Sequence, residues 1–181
     1  MTAATPRPLR ADARRNRERL LATAVAAFSR DPEVTLDAIA KEAGVGIGTL
    51  YRHFPTREAL VEAAYRNELA RLVEASASLR STLPPDEALR AFLGRFVDYL
   101  TAKQGMADAL RAVIAGGGDL FAESRAQLLA AITPLLESAT LVEGVDPFDV
   151  LVAVNGVTLA AGSREQADRL LDLLFDGLRQ R

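Results

Sequence analysis

Cysteine is absent from this 181-residue chain, so disulfides, thiolate metal sites and cysteine nucleophiles are excluded. Histidine occurs once, at His53, and no second histidine offers metal-ligand spacing beside it. No serine nucleophile stands in a recognisable motif, so a catalytic constellation is missing. Long apolar runs are missing too. The nearest approach, Val150 to Gly162, falls well short of the roughly 18 residues that span a bilayer. The opening segment MTAATPRPLRADARRNRERL is polar and arginine-rich, without the apolar centre of a signal peptide, and the expectation is a cytoplasmic protein with no membrane partner. Glycines 116–118 are not a phosphate cradle, since no strand precedes them and no Lys-Ser/Thr follows. No metal and no cofactor is expected.

What is present is helical. Hydrophobic residues make up 49% of the chain, which is globular in character. Leu20, Leu21, Ala24, Val25 and Phe28 set an apolar stripe on a first helix from about Ala11 to Ser29. Thr35 has the chemistry of an N-cap for the second helix, and Pro55 stops the third, which runs from about Ile47 to Phe54. Thr56 caps a long fourth helix, closed by Pro84-Pro85. Leu89, Phe92, Leu93, Phe96, Val97 and Leu100 give a strongly amphipathic fifth. Met106 to Ile114 mark a sixth, and Phe121 to Leu136 a seventh that Pro134 is expected to kink. Asp146 with Pro147 opens an eighth, and Ser163 with Gln166 has capping-box spacing for a ninth. With no convincing strand, the fold class is all-α, with about nine helices.

Charge is distributed unevenly over a net of −2. Residues 1–66 hold 11 Lys/Arg against 8 Asp/Glu, a balance of +3, whereas residues 67–181 carry −5. Six arginines (Arg7, Arg10, Arg14, Arg15, Arg17 and Arg19) crowd one short segment. A basic head on an acidic body suits approach to phosphate by one end only, although an arginine-rich solvated tail has the same composition.

The segment at residues 35–57, TLDAIAKEAGVGIGTLYRHFPTR, carries the most information. Leu36, Ile39, Ala40 and Ala43 share one helix face, and Gly44 stands where that helix must end in a left-handed residue. Val45, Leu50 and Phe54 continue the buried stripe into the next helix. Small Ala40 opposite Leu50 lets two helix backbones cross closely. This is the outline of a helix-turn-helix, whose second helix enters the DNA major groove. That helix presents Ile47, Gly48, Thr49, Tyr51 and Arg52 away from the stripe. A guanidinium at Arg52 can bond O6 and N7 of guanine, or alternatively a phosphate or a neighbouring carboxylate. Thr35, Thr49, His53 and Arg57 are donors suited to phosphate oxygens.

The stretch AGVGIGTLYRHFPTREAL, Ala43 to Leu60, resembles the DNA-binding signature of TetR-family transcriptional regulators, as does the order of parts. The resemblance covers the first third of the chain. It implies a DNA-binding domain over residues 1–55 and a helical ligand-binding and dimerisation domain over residues 56–181. Tyr51 is implied as a phosphate or thymine-methyl contact, and Arg14 and Arg17, with Gly46 at the turn, complete the DNA-facing set. The sequence departs from the family pattern in two places. Gly46 stands where serine is frequent, and Ile47 where a basic or polar residue is.

The implied partners are a double-stranded operator, a small-molecule effector and a second copy of the chain. Tyr99, Gln104, Asp108, Arg111 and Asn155 are the polar candidates for effector contact, lying on helices whose other faces are apolar. The eighth helix, apolar nearly all round, is expected to pair with the ninth in a twofold dimer interface, or else to be the centre of a monomeric core. The expected function is a ligand-responsive repressor, not an enzyme. A transcriptional activator and a helical protein-interaction module are the other readings left open.

Overall fold

The computed structural model describes residues 7–115 and 120–179, with side chains from Arg15 onward. Among the described residues there are nine α-helices: α1 (Arg7–Arg30), α2 (Leu36–Glu42), α3 (Ile47–His53), α4 (Arg57–Thr82), α5 (Pro85–Gly105), α6 (Ala107–Ala115), α7 (Leu120–Ser138), α8 (Pro147–Ala160) and α9 (Arg164–Leu178). The all-α expectation holds. The only extended pairing found among them is an isolated antiparallel bridge between Leu141 and Arg179. None of these helices is long and apolar enough to cross a membrane. Glycines 116–118 lie outside the described residues.

Local chemistry explains most of the boundaries. Thr35 Oγ1 accepts the Ala38 N–H at 3.2 Å, and Thr56 Oγ1 accepts that of Ala59 at 3.1 Å. Asp146 caps α8 through the Phe148 N–H at 2.7 Å, with Pro147 in the first turn where its missing donor costs nothing. Ser163 Oγ accepts the Gln166 N–H at 3.2 Å, and Gln166 Oε1 reaches back to the Gly162 N–H at 2.8 Å. One expectation changes. Helix α1 starts at Arg7, four residues before Ala11, because Pro8 falls in the first turn, where proline is tolerated. Pro134 lies inside α7.

The chain divides into two compact units. The first takes the chain up to Asn67 together with the segment from Gln104 that holds α6. Leu20, Leu21, Ala24 and Phe28 of α1 are buried there, with Ile39 and Ala40 of α2, Leu50 of α3, and Leu60, Val61, Ala64 and Tyr65 of α4. Each such large apolar side chain contributes about 1.5–3 kcal/mol on burial. Met106, just ahead of α6, and Leu110 of α6 are as deeply buried. Gly105 meets α1 so closely that an added Cβ would lie 2.4 Å from Ser29 Oγ and 2.7 Å from Ser29 Cβ.

The second unit holds Glu68–Lys103 and α7 to α9. Its core is the predicted stripe of α5, together with Leu128, Ile132 and Leu135 of α7, Val150, Leu151 and Val154 of α8, and Leu171 and Phe175 of α9. Ser76 of α4, buried, donates to the Ala131 carbonyl of α7 at 2.6 Å. A charged strap joins α5 to α9: Arg90 to Asp172 at 2.7 Å, and Arg164 to Asp98 at 2.8 Å. Arg164 also donates to the Gly94 carbonyl at 3.2 Å, and its hydrogen bond to Asp98 raises the guanidinium further above its ordinary value. Helix α8 is buried on one side only within the single chain. Phe148, Val152 and Leu159 of α8 and Leu173 of α9 stand exposed, Leu159 at 67% and Leu173 at 70%.

Candidate nucleic-acid interface

The turn between α2 and α3 is built by backbone hydrogen bonds around one glycine. Gly44 takes φ +66°, the left-handed region that a Cβ disfavours. That reversal lets the Val45 N–H donate to the Ala40 carbonyl at 3.0 Å and the Gly44 N–H to the Lys41 carbonyl at 3.1 Å. The two bonds together form the Schellman closure of α2. Helix α3 then starts at Gly46 with no side-chain cap, because the residue has no hydroxyl to offer. Leu50 and Phe54 anchor α3 from below, at 0% and 5% exposure.

Everything else on α3 faces outward. Ile47 and Tyr51 are 37% and 48% exposed, and Gly48, Thr49, Arg52 and His53 are exposed as well. A helix of seven residues with one buried anchor thus projects a mixed apolar and cationic face into solvent. Arg52 makes no hydrogen bond or ion pair with any described residue, so its guanidinium donors are unengaged. Ile47 and Tyr51, one turn apart, form the apolar part of that face.

The cations around this face divide by role. Arg17 is exposed, with its guanidinium 5.8 Å from the Phe54 ring centre. Arg19 donates through Nε to the Ala43 carbonyl at 3.0 Å and so ties α1 to the end of α2. Arg30 pairs with Glu42 at 2.7 Å and closes the other end of the same seam. Arg57, expected at phosphate, is found half-buried and turned inward. Its two terminal nitrogens donate to the carbonyls of Pro32 and Val34, and the group stacks 4.8 Å from the Phe28 ring centre. Thr35 is exposed while its oxygen serves as a cap. The Arg14 side chain lies outside the described ones. Sequence reading missed the bracing by Arg19 and Arg57, since all three bonds join residues more than 20 positions apart with no local signal.

The effector candidates are not gathered into one place. Tyr99 is buried and stacked on Phe96 at 6.0 Å, and Asn155 is half-buried on α8. Gln104, Asp108 and Arg111 are exposed in the other unit, where Asp108 and Arg111 pair with each other. Sequence reading also missed a groove of about 690 Å³ in the second unit. Leu83, Pro84, Pro85, Arg90, Phe175 and Arg179 are among its lining residues, and none of the five candidates is.

Comparison with known proteins matches both parts of the chain. Residues 20–64 match the model of bacterial regulatory proteins of the tetR family, and residues 84–180 match that of the SbtR-like transcriptional regulator C-terminal domain. A TetR transcriptional regulator from Streptomyces coelicolor is 51% identical, with a TM-score of 0.84 over 90% of this chain and 98% of its own. A TetR transcription regulatory protein from Mycobacterium vanbaalenii is 35% identical, with a TM-score of 0.76 over 96% of this chain and 100% of its own. The TetR-like regulator LfrR from Mycobacterium smegmatis, solved in complex with proflavine, shares the fold at 21% identity, with a TM-score of 0.67 over 94% and 99% of the two chains. No curated protein matches. The exposed α3 on its glycine-closed turn and the two family matches thus have one meaning: this chain belongs to the TetR family of DNA-binding transcriptional regulators, a non-enzymatic family.

Proposed function

We propose that this regulator is a repressor that binds a palindromic operator as a homodimer and leaves it when a small-molecule effector occupies the body. The observation that carries the reading is the projecting face of α3, with Arg52 unengaged above buried Leu50 and Phe54. Residues 1–55 read DNA, and residues 56–181 supply effector binding and dimerisation. Arg52 bonds guanine, Ile47 and Tyr51 meet thymine methyls or the backbone, and Gly46 and Gly48 admit the sugar-phosphate chain closely. Thr35, Thr49, His53, Arg14 and Arg17 fix the duplex by its phosphates, and Arg57 holds the start of α4 that faces them.

Twofold pairing through α8 and α9 is supported by the exposed Val152, Leu159 and Leu173, an apolar surface of the sort a helix partner covers. Two α3 helices related by that axis would meet successive major-groove turns. Tyr99 and Asn155, both in the second unit, remain polar contacts proposed for the effector, and the proflavine held by the M. smegmatis regulator supports a small-molecule role. The test is selection of bound sequences from random duplex, which reports half-site symmetry and spacing together. Arg52→Ala should keep affinity for scrambled duplex and lose about 1–3 kcal/mol of discrimination for the selected site. Unchanged discrimination would remove Arg52 as a base reader.

A further inference from the structure

The acidic second unit neutralises many of its cations with carboxylates: Arg71 with Glu68, Arg90 with Asp172, Arg164 with Asp98, Arg179 with Asp86. Lys103 and Arg125 each face an aromatic ring instead. Lys103 of α5 is half-buried and holds its ammonium 4.3 Å from the Phe121 ring centre, with no hydrogen bond or ion pair to any described residue. Arg125 of α7 lies 5.9 Å from the Phe148 ring centre and is likewise without a carboxylate. Phe121 and Arg125 are four residues apart on α7 and therefore lie side by side. The result is a row that alternates cation, ring, cation, ring. The two rings are 39% and 42% exposed.

From this row we infer that the effector is an organic anion with an apolar body, its acidic group on Lys103 and its body along Phe121 and Phe148. The inference rests on the reading above that an effector binds the body at all. Burial pushes the Lys103 ammonium below its ordinary pKa, so the charged form is held at a cost that an arriving anion relieves. The ring face offers only weak compensation for lost water, and a carboxylate, sulfonate or phosphate offers far more. The same two cations repel a cationic ligand. Exposed aromatic faces beside them supply the apolar contact that a plain inorganic anion could not use.

A dye pair tests this on the full chain. 1-Anilinonaphthalene-8-sulfonate and neutral N-phenyl-1-naphthylamine share an aromatic body and differ by the sulfonate. The protein should bind the sulfonate dye more tightly than the neutral one. Lys103→Met, which keeps the aliphatic stem, should weaken the sulfonate dye by about tenfold and leave the neutral dye unchanged. Lys103→Arg should restore the preference. Arg125→Gln, an independent variant should Lys103→Met fail to fold, should weaken the sulfonate dye alone by a smaller factor. Equal binding of both dyes by the parent, or equal losses in the variants, would overturn the inference. Binding of polyglutamate but of neither dye would overturn it in favour of a protein-docking face. Operator binding by the ligand-free protein, measured in the same samples, tests the regulator reading separately from the dyes.

Discussion

Arg57 shows how a single side chain can hold a DNA-binding head together from within. Its donors meet the carbonyls of Pro32 and Val34, and its plane lies on Phe28, so it pins the α1–α2 connection to the first turn of α4. Arg57→Ala leaves two carbonyls without their charged donor and should cost about 2 kcal/mol of stability, read from urea denaturation. A phosphate contact makes a different forecast. Its loss would lower the slope of log affinity against log salt by about 0.9, whereas a strut leaves the slope unchanged. An arginine in a helix's first turn has the same appearance in a sequence whichever role it plays. Its partners, 23 and 25 residues earlier, are set by how α1 packs on α4, which no local pattern encodes. The exposure of Arg52 is easier to read, because a helix-turn-helix fixes which side of its second helix is left uncovered.

Helix ends were largely legible because their causes are local. Thr35, Asp146 and Ser163 each accept an N–H two or three residues ahead, and Gly44 turns left-handed one residue past the Ala43 cap. Ser163→Ala should cost about 1 kcal/mol and lower the melting temperature by roughly 2–4 °C. The loss should be confined to the start of α9, as faster amide exchange over residues 164–168. If exchange rose equally along α9, the cap would not be the source. Hydrophobic stripes, by contrast, say that a face is covered and not what covers it. The stripe of α6 reads like those of α5 and α7, yet Met106 and Leu110 are buried in the unit that holds α1 to α3. The cation–ring pairs of Lys103 and Arg125 were equally invisible, since each joins two helices.

The proposed dimer rests on what one chain leaves uncovered. Leu159 and Leu173 are the most exposed large apolar side chains described, and covering them removes area worth about 25 cal/mol per Å². The double variant Leu159→Glu, Leu173→Glu should sediment as a folded monomer, since neither residue is buried in its own chain. Its salt dependence on operator should fall to about half, because one head replaces two. A dimer that survived both charges would move the interface elsewhere.

The joint at Gly105 carries a different implication. The gap facing Ser29 is narrower than a methyl group, so the end of α5 and the end of α1 mesh like gear teeth without backlash. Replacing Gly105 by alanine, ordinarily among the gentlest exchanges, would jam the mesh, and trimming Ser29 to glycine would give it play. Sequence drift at one of these positions therefore has to be answered at the other.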